Sequence, residues 1–191
     1  MTLNNFSNDW KDLKTLKTFE KLLEWSEIAN KFSKLLIVQG GYAVDLSYGK
    51  LTRNHDDLDL IVKEEDLNWF KERLIVDGYK IKVHEDHNPD LSFCAYKFNF
   101  ILEDSVCFDL EGINIDKQVW DRNDGEKFVW PTIPGKLYQV VTVEGISLKY
   151  LSPELVYEFK KKQQDAGWDK REKEDHDFKI LKLSLPKNYK G

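Results

Sequence analysis

Two short apolar runs constrain the fold of this chain most, because one is followed by two glycines and the other has two aspartates at its start. Residues 35–38 form an apolar run that ends in Gln39-Gly40-Gly41, which is typical of a buried strand entering a tight turn. Residues 58–62 form a second strand-like run, and Asp57 and Asp59 lie at its start. Because side chains alternate along a strand, the two carboxylates are expected on one face, as oxygen ligands for Mg²⁺.

Each of these features has a plainer interpretation when it is taken alone. A pair of glycines is usually a simple turn, and two acids with one residue between them are usually both solvated. A purely structural strand, however, gains nothing from two like charges on one face beside a glycine turn. Glycines between a strand and a helix also let free N–H groups approach a phosphate. Asp56 is expected to point away from the pair, as a capping or surface residue.

The remaining periodicity predicts an α+β fold, a small mixed sheet covered by helices. Helices are expected over about residues 10–33, 42–48 and from 67 to a stop at Gly78. Strands are expected at 79–83, 91–100 and 106–113, the last two antiparallel, with edge strands at 140–143 and 147–150. Ser152 and Pro153 begin a helical segment. We therefore expect a core over residues 1–150 and a C-terminal helical extension over 151–191 that packs on it.

Composition limits the class of protein. The 191 residues are 41% hydrophobic, which is enough for one sizeable core. The net charge of −5 provides no basic field for a long nucleic acid, so a DNA or RNA substrate is disfavoured. No apolar run is long enough to cross a membrane and the N-terminus does not look like a signal peptide, so we expect a cytoplasmic protein. Cys94 and Cys107 lie in strand-like runs, as expected of buried thiols.

A third carboxylate is required if an acceptor hydroxyl is to lose its proton and a second metal ion is to be held. In residues 105–111 acidic and apolar side chains alternate. Asp109 is the candidate general base and third metal ligand, and Glu111, on the same face, is the alternative. Outward-facing solvated acids are the plainer interpretation.

These residues resemble those of the antibiotic nucleotidyltransferases, in particular the lincosamide nucleotidyltransferases and the aminoglycoside adenylyltransferases. The resemblance covers about residues 35–115, and it rests on residues 40–45, Gly49-Lys50, Arg53, His55, Asp57, Asp59, residues 77–81 and Asp109. It extends more loosely to residues 152–154 and 175–177.

The resemblance implies a polymerase-beta-like nucleotidyltransferase core. In such a core the positions of Asp57 and Asp59 bind the catalytic Mg²⁺, and the position of Asp109 supplies the base. The turn at Gly40 and Gly41 holds the phosphates of the NTP, for which ATP is expected.

Several polar side chains are candidates for accessory roles. Arg53 is placed to reach a triphosphate, and His55 to orient Asp57 or to pair with a phosphate. One lysine among residues 160–162 could meet the departing pyrophosphate, although a run of lysines is usually a solvated helix face. Residues 84–87 contain two histidines and two acids without zinc-helix spacing, so they are interpreted as a polar loop.

The leading functional hypothesis is Mg²⁺-dependent transfer of a nucleoside monophosphate from an NTP to a hydroxyl of a small molecule, such as a lincosamide or an aminoglycoside. One alternative is a toxin-like nucleotidyltransferase that acts on a protein or a tRNA. Another is a non-catalytic relative that binds nucleotide or a protein partner. A homodimer is left open.

Overall fold

The computed structural model describes residues 12–83, 92–99, 104–113, 119–121, 127–129, 137–165, 172–187 and 189. The helices in these ranges are α1 (Leu13–Lys31), α2 (Gly40–Tyr48), α3 (Leu67–Val76), α4 (Pro153–Asp165) and α5 (Glu172–Ser184). The strands are β1 (Leu36–Val38), β2 (Leu58–Lys63), β3 (Lys80–Lys82), β4 (Ser92–Asn99), β5 (Asp104–Ile113), β6 (Val119–Asp121), β7 (Lys127–Val129), β8 (Tyr138–Val143) and β9 (Ile146–Leu151). Among the described helices, none is both long enough and apolar enough to span a membrane.

Seven strands form one mixed sheet in the order β3-β4-β5-β2-β1-β9-β8, and β6 pairs with β7 separately. The α+β class and the antiparallel pairing of β4 with β5 are confirmed. β2 runs parallel to β5, and β1 runs parallel to β9. The prediction that β9 is an edge strand is wrong, because β9 lies between β1 and β8. Its buried side chains Leu148 and Leu151 fit this interior position.

Helix α1 covers the core. Asp12 caps its N-terminus by accepting a 2.8 Å hydrogen bond from the backbone N–H of Thr15. The buried face of α1 includes Phe19, Leu22 and Trp25. The helix was expected over about residues 10–33 and is found over Leu13–Lys31, with residues 10 and 11 outside the described part.

Helix α2 begins two residues earlier than the sequence predicts, because both glycines belong to it. It spans Gly40–Tyr48 instead of residues 42–48. It ends at Gly49, which is left-handed with φ 90° and whose N–H bonds the carbonyl of Asp45 at 2.8 Å. The chain therefore passes from β1 through Gln39 directly into the helix, with Gly40 at the first helical position.

The two C-terminal helices pack against α2 and against each other. Leu155 and Val156 of α4 and Leu181 of α5 are buried at this contact. Helix α4 begins at Pro153, as predicted, but the Ser152 hydroxyl oxygen is buried without a hydrogen-bond partner among the described residues. The position of the domain boundary, residue 150, stays a prediction.

Candidate active site

Adjacent strands bring Asp57, Asp59 and Asp109 together. Asp59 in β2 and Asp109 in β5 are direct partners in the register of these parallel strands, and Asp57 precedes β2. One carboxylate oxygen from each of the three residues lies within 4.8 Å of the others. Asp56 is exposed, as expected.

Alternation along β5 explains why Asp109 faces this cluster. Phe108 and Leu110 are each 1% exposed and point into the core, so Asp109 and Glu111 lie on the opposite face. The glycine turn after β1 lies on the same side, because a Cβ atom added to Gly40 would collide with the Asp59 carboxylate. Within β5, one face therefore contributes to the core and the other presents the acids.

Burial and mutual repulsion perturb these acids. Burial, followed by the charges of Asp57, Asp109 and Glu111, raises the pKa of Asp59 to about 8. Burial also raises the pKa of Glu111 to about 7, although a 3.1 Å hydrogen bond from Gln39 Nε2 acts in the opposite direction. Closely spaced carboxylates that repel one another fit a divalent cation, and hard oxygen ligands of this kind suit Mg²⁺.

Both positions require glycine, because side chains from other segments approach the backbone closely there. Gly40 has a φ of 60°, in the left-handed region, and the Asp59 carboxylate occupies the place of its missing side chain. Gly41 plays a similar part, because a Cβ there would strike the guanidinium of Arg53 and the ring of His55. Because Gly40 and Gly41 have no side chains, the Asp59 carboxylate and the Arg53 guanidinium can pack against the first turn of α2.

Replacing Gly40 by alanine should disrupt the site. The left-handed backbone costs about 1–2 kcal/mol for a residue with a Cβ, and the added methyl group displaces the Asp59 carboxylate. We expect a lower melting temperature and a loss of divalent-cation binding by calorimetry. Gly145→Ala is the matched control, since Gly145 has a φ of 80° and nothing within 4 Å of an added Cβ. It should lower the melting temperature but leave cation binding unchanged, and equal cation binding in the two variants would contradict this account.

The acids and glycines line a cleft of about 260 Å³. Its wall includes Gln39, Gly40, Gly41, Arg53, Asp57, Asp59, Cys94, Asp109, Glu111, Phe159, Lys160, Lys173 and Glu174. The cleft is thus formed by the sheet, by the start of α2 and by the two C-terminal helices.

Two cations from separate elements face this cleft. Arg53 precedes β2 and forms a double hydrogen bond with Asp177 of α5, from Nε at 2.8 Å and from Nη2 at 3.1 Å. Lys160 of α4 binds Glu174 at 2.7 Å and Asp177 at 2.9 Å. Of the three lysines at residues 160–162, Lys160 is the one buried in the cleft wall, whereas Lys162 is exposed.

His55 occupies a different place from the one expected of a phosphate ligand. It is 3% exposed, its Nε2 lies 2.6 Å from Asp45 Oδ2, and its ring stacks on Tyr42 with centroids 4.0 Å apart. The His55 ring thus contacts Asp45 instead of Asp57. It also lies against Gly41, where an added Cβ would collide with it. A part in nucleotide binding stays a prediction for His55.

Sequence reasoning missed several groups of the cleft. Cys94 and Cys107 are both thiols, as predicted, but each is half-buried and not buried as expected. Cys94 also lines the cleft and donates a hydrogen bond to Asp109. Burial, together with this carboxylate, raises the pKa of the Cys94 thiol, so the neutral donor form is present. Alternation along β4 was the available signal, since Cys94 faces Asp109 across the strand pair. Residues 84–87 lie outside the described residues.

The same fold is found in nucleotidyltransferases of known structure. A lincomycin-bound lincosamide antibiotic adenylyltransferase, LnuA, has a TM-score of 0.64 at 20% identity, with 87% of this chain and 98% of that chain covered. ANT(2'')-Ia in complex with adenylyl-2''-tobramycin has a TM-score of 0.58 at 17% identity, with 88% of each chain covered. A putative nucleotidyltransferase from Thermotoga maritima has a TM-score of 0.52 at 18% identity, with 88% and 92% covered. The fold is thus that of the polymerase-beta-like nucleotidyltransferases.

The sequence identifies the family. The chain belongs to the aminoglycoside-2''-adenylyltransferase family, whose sequence model matches residues 21–181. It is therefore a nucleotidyltransferase, as its resemblance to the antibiotic nucleotidyltransferases implied. Among curated protein sequences, none matches this chain significantly.

Proposed function

We propose that this enzyme transfers a nucleoside monophosphate from an NTP to a hydroxyl group of a small molecule. One observation carries the proposal. Carboxylate oxygens of Asp57, Asp59 and Asp109 lie within 4.8 Å of one another, beside the glycine turn. Asp57, Asp59 and Asp109 would hold Mg²⁺, which supplies positive charge against the charge that develops on the phosphate oxygens. Gly40 and Gly41 present the first turn of α2, whose free N–H groups suit a phosphate.

Asp109 is proposed as the group that receives the acceptor's proton. The acceptor oxygen forms a bond to the α-phosphorus while the bond from that phosphorus to the β-phosphate oxygen breaks. The proton passes to Asp109, and pyrophosphate leaves with the bonding electrons. Glu111 lies on the same face two residues further along β5 and is the alternative base.

Arg53 and Lys160 are proposed to meet the β- and γ-phosphates. They are cations of the cleft wall, and each forms an ion pair with a residue of α5. A planar guanidinium with several donors suits phosphate oxygens, and an ammonium provides a compact charge. Pyrophosphate would therefore leave along the wall formed by the C-terminal helices.

The acceptor is proposed to be a lincosamide or an aminoglycoside, and the nucleotide ATP. The family is named for an aminoglycoside adenylyltransferase, and the LnuA structure contains lincomycin. The cleft also contains Asp57, Asp59, Asp109, Glu111 and Glu174, an acidic lining that suits an acceptor with amino groups. Modification of such an antibiotic would confer resistance. A location in the cytoplasm, where NTPs are available, fits this proposal.

Mass spectrometry of the acceptor tests the proposal. The enzyme is incubated with Mg²⁺, each of the four NTPs and a panel of lincosamides and aminoglycosides. We expect one antibiotic to gain the mass of a nucleoside monophosphate with the wild type and with Asp56→Ala, but not with Asp57→Ala. Asp56→Ala is the matched control because Asp56 is an exposed acid next to Asp57. Label on a co-expressed protein or tRNA, with none on any antibiotic, would contradict the small-molecule acceptor.

A further inference from the structure

A single carboxylate on α5 joins the two cations of the cleft wall. Asp177 is fully buried, with an exposed fraction of 0%. Its Oδ1 accepts a hydrogen bond from Arg53 Nε at 2.8 Å. Its Oδ2 accepts one from Arg53 Nη2 at 3.1 Å and lies 2.9 Å from Lys160 Nζ. Arg53 and Asp177 are therefore in direct contact, although they lie 124 positions apart in the sequence.

Two cations would not otherwise remain side by side at a buried position. Like charges repel strongly where water is scarce, and a shared anion removes this repulsion. Burial by itself would raise the pKa of Asp177, but hydrogen bonds and charges from Arg53 and Lys160 lower it below the usual value, so the carboxylate is ionised. Asp177 therefore holds both head groups in one place.

The joined cations lie in the same cleft as the glycine turn and the acids that are proposed to bind the nucleotide. Arg53 packs on the first turn of α2, because its Nη2 fills the space of a side chain at Gly41. Lys160 lines the same cleft as Asp59 and Gly40. Of the three N–H bonds of the Lys160 ammonium, Glu174 and Asp177 accept two. The Lys160 ammonium can donate one more hydrogen bond, and it lines the same cleft as the acids proposed to bind Mg²⁺ and the glycine turn.

We propose that Asp177 is a positioning residue, which holds Arg53 and Lys160 together as the pair that binds the triphosphate of the NTP. This inference rests on the proposed nucleotidyl transfer. It makes helix α5, which contributes no metal ligand, a required part of the nucleotide site.

A second contact supports this role for α5. His176, next to Asp177, has its Nε2 3.0 Å from the hydroxyl oxygen of Thr52, next to Arg53. Thr52 in turn donates a hydrogen bond from its hydroxyl to Asp45 of α2. Two consecutive residues of α5 therefore bind two consecutive residues of the loop that leads to Asp57. The helix fixes this loop at the point where it meets the cleft.

Binding measurements with inorganic tripolyphosphate and with MgATP, at fixed free Mg²⁺, test the proposal without depending on turnover. Asp177→Asn should weaken the binding of both probes by about 10- to 100-fold, since hydrogen bonds that position charged groups are lost. The KM for the nucleotide should rise, whereas the KM for the acceptor should not change. Asp175→Asn is the matched control, because it removes the same charge from an exposed position of the same helix.

The outcomes separate this inference from the proposed function. If the wild type binds neither probe, both fail. If the wild type binds them and Asp177→Asn binds them equally well or more tightly, only the positioning role is overturned. Should Asp177→Asn not fold, Asp177→Glu keeps the charge and both cations but moves the carboxylate away from its present place between them. Weaker tripolyphosphate binding by a folded Asp177→Glu supports the proposal, and unchanged binding overturns it.

Discussion

Replacing Asp59 by asparagine should abolish nucleotidyl transfer and at the same time stabilise the metal-free protein. Asp59 lies among Asp57, Asp109 and Glu111, and burial and these charges raise its pKa to about 8. Turnover should fall on the order of 10³-fold or more, because a charged group at the transferred phosphate is lost. Because the pKa of Asp59 is higher in the folded than in the unfolded protein, this carboxyl disfavours folding of the metal-free protein at neutral pH. Removing about 1 kcal/mol of this penalty would raise the melting temperature of a domain of this size by about 2–4 °C.

Thermal unfolding in EDTA and in Mg²⁺ checks both parts of this prediction. The wild type should be stabilised by Mg²⁺, whereas Asp59→Asn should be more stable than the wild type in EDTA and insensitive to Mg²⁺. Asp56→Asn removes a neighbouring exposed charge and should behave like the wild type. An Asp59→Asn protein that keeps wild-type turnover would remove Asp59 from the metal site.

Replacing Asp109 by asparagine should slow the chemical step while nucleotide binding is largely kept. A general base contributes about 10²- to 10⁴-fold to the rate, so kcat should fall by that factor. Asp57 and Asp59 remain to hold the metal ion, so the Kd for MgATP should change far less than kcat. Single-turnover kinetics and equilibrium binding measure the two quantities separately.

Glu111→Gln is the comparison variant for Asp109→Asn. Glu111 lies on the same face of β5, and its side chain accepts a hydrogen bond from Gln39. If Asp109 is the base, Glu111→Gln should retain much more activity than Asp109→Asn. The reverse order of activities would assign the base to Glu111.

Local patterns predicted most of the elements and the acids of the site. Period-2 alternation placed Asp59 and Asp109 on polar faces of their strands, and the structure puts them opposite each other. The Gly40-Gly41 turn was visible because it follows an apolar run after a single residue, Gln39. These features depend on a few neighbouring residues, which is why the sequence alone reveals them.

The contacts between distant segments were not predictable. No local pattern states that β5 pairs with β2, that β9 pairs with β1, or that Asp177 meets Arg53. His55 reads as a polar loop residue, and only the tertiary packing shows that it is stacked on Tyr42. The sequence does not distinguish Lys160 from Lys161 and Lys162, and only the packing of α4 shows that Lys160 is the buried one. Such pairings are set by the assembly of the sheet and the C-terminal helices.

Acceptor-dependent pyrophosphate release from ATP in the presence of Mg²⁺ tests the central claim most directly. The measurement uses lincosamides and aminoglycosides as acceptors, with Asp57→Ala and Asp56→Ala as the paired variants. We predict release that requires one of these acceptors, that persists in Asp56→Ala and that is lost in Asp57→Ala. Release that is equal in both variants, or that occurs without any acceptor, would contradict nucleotidyl transfer at this site.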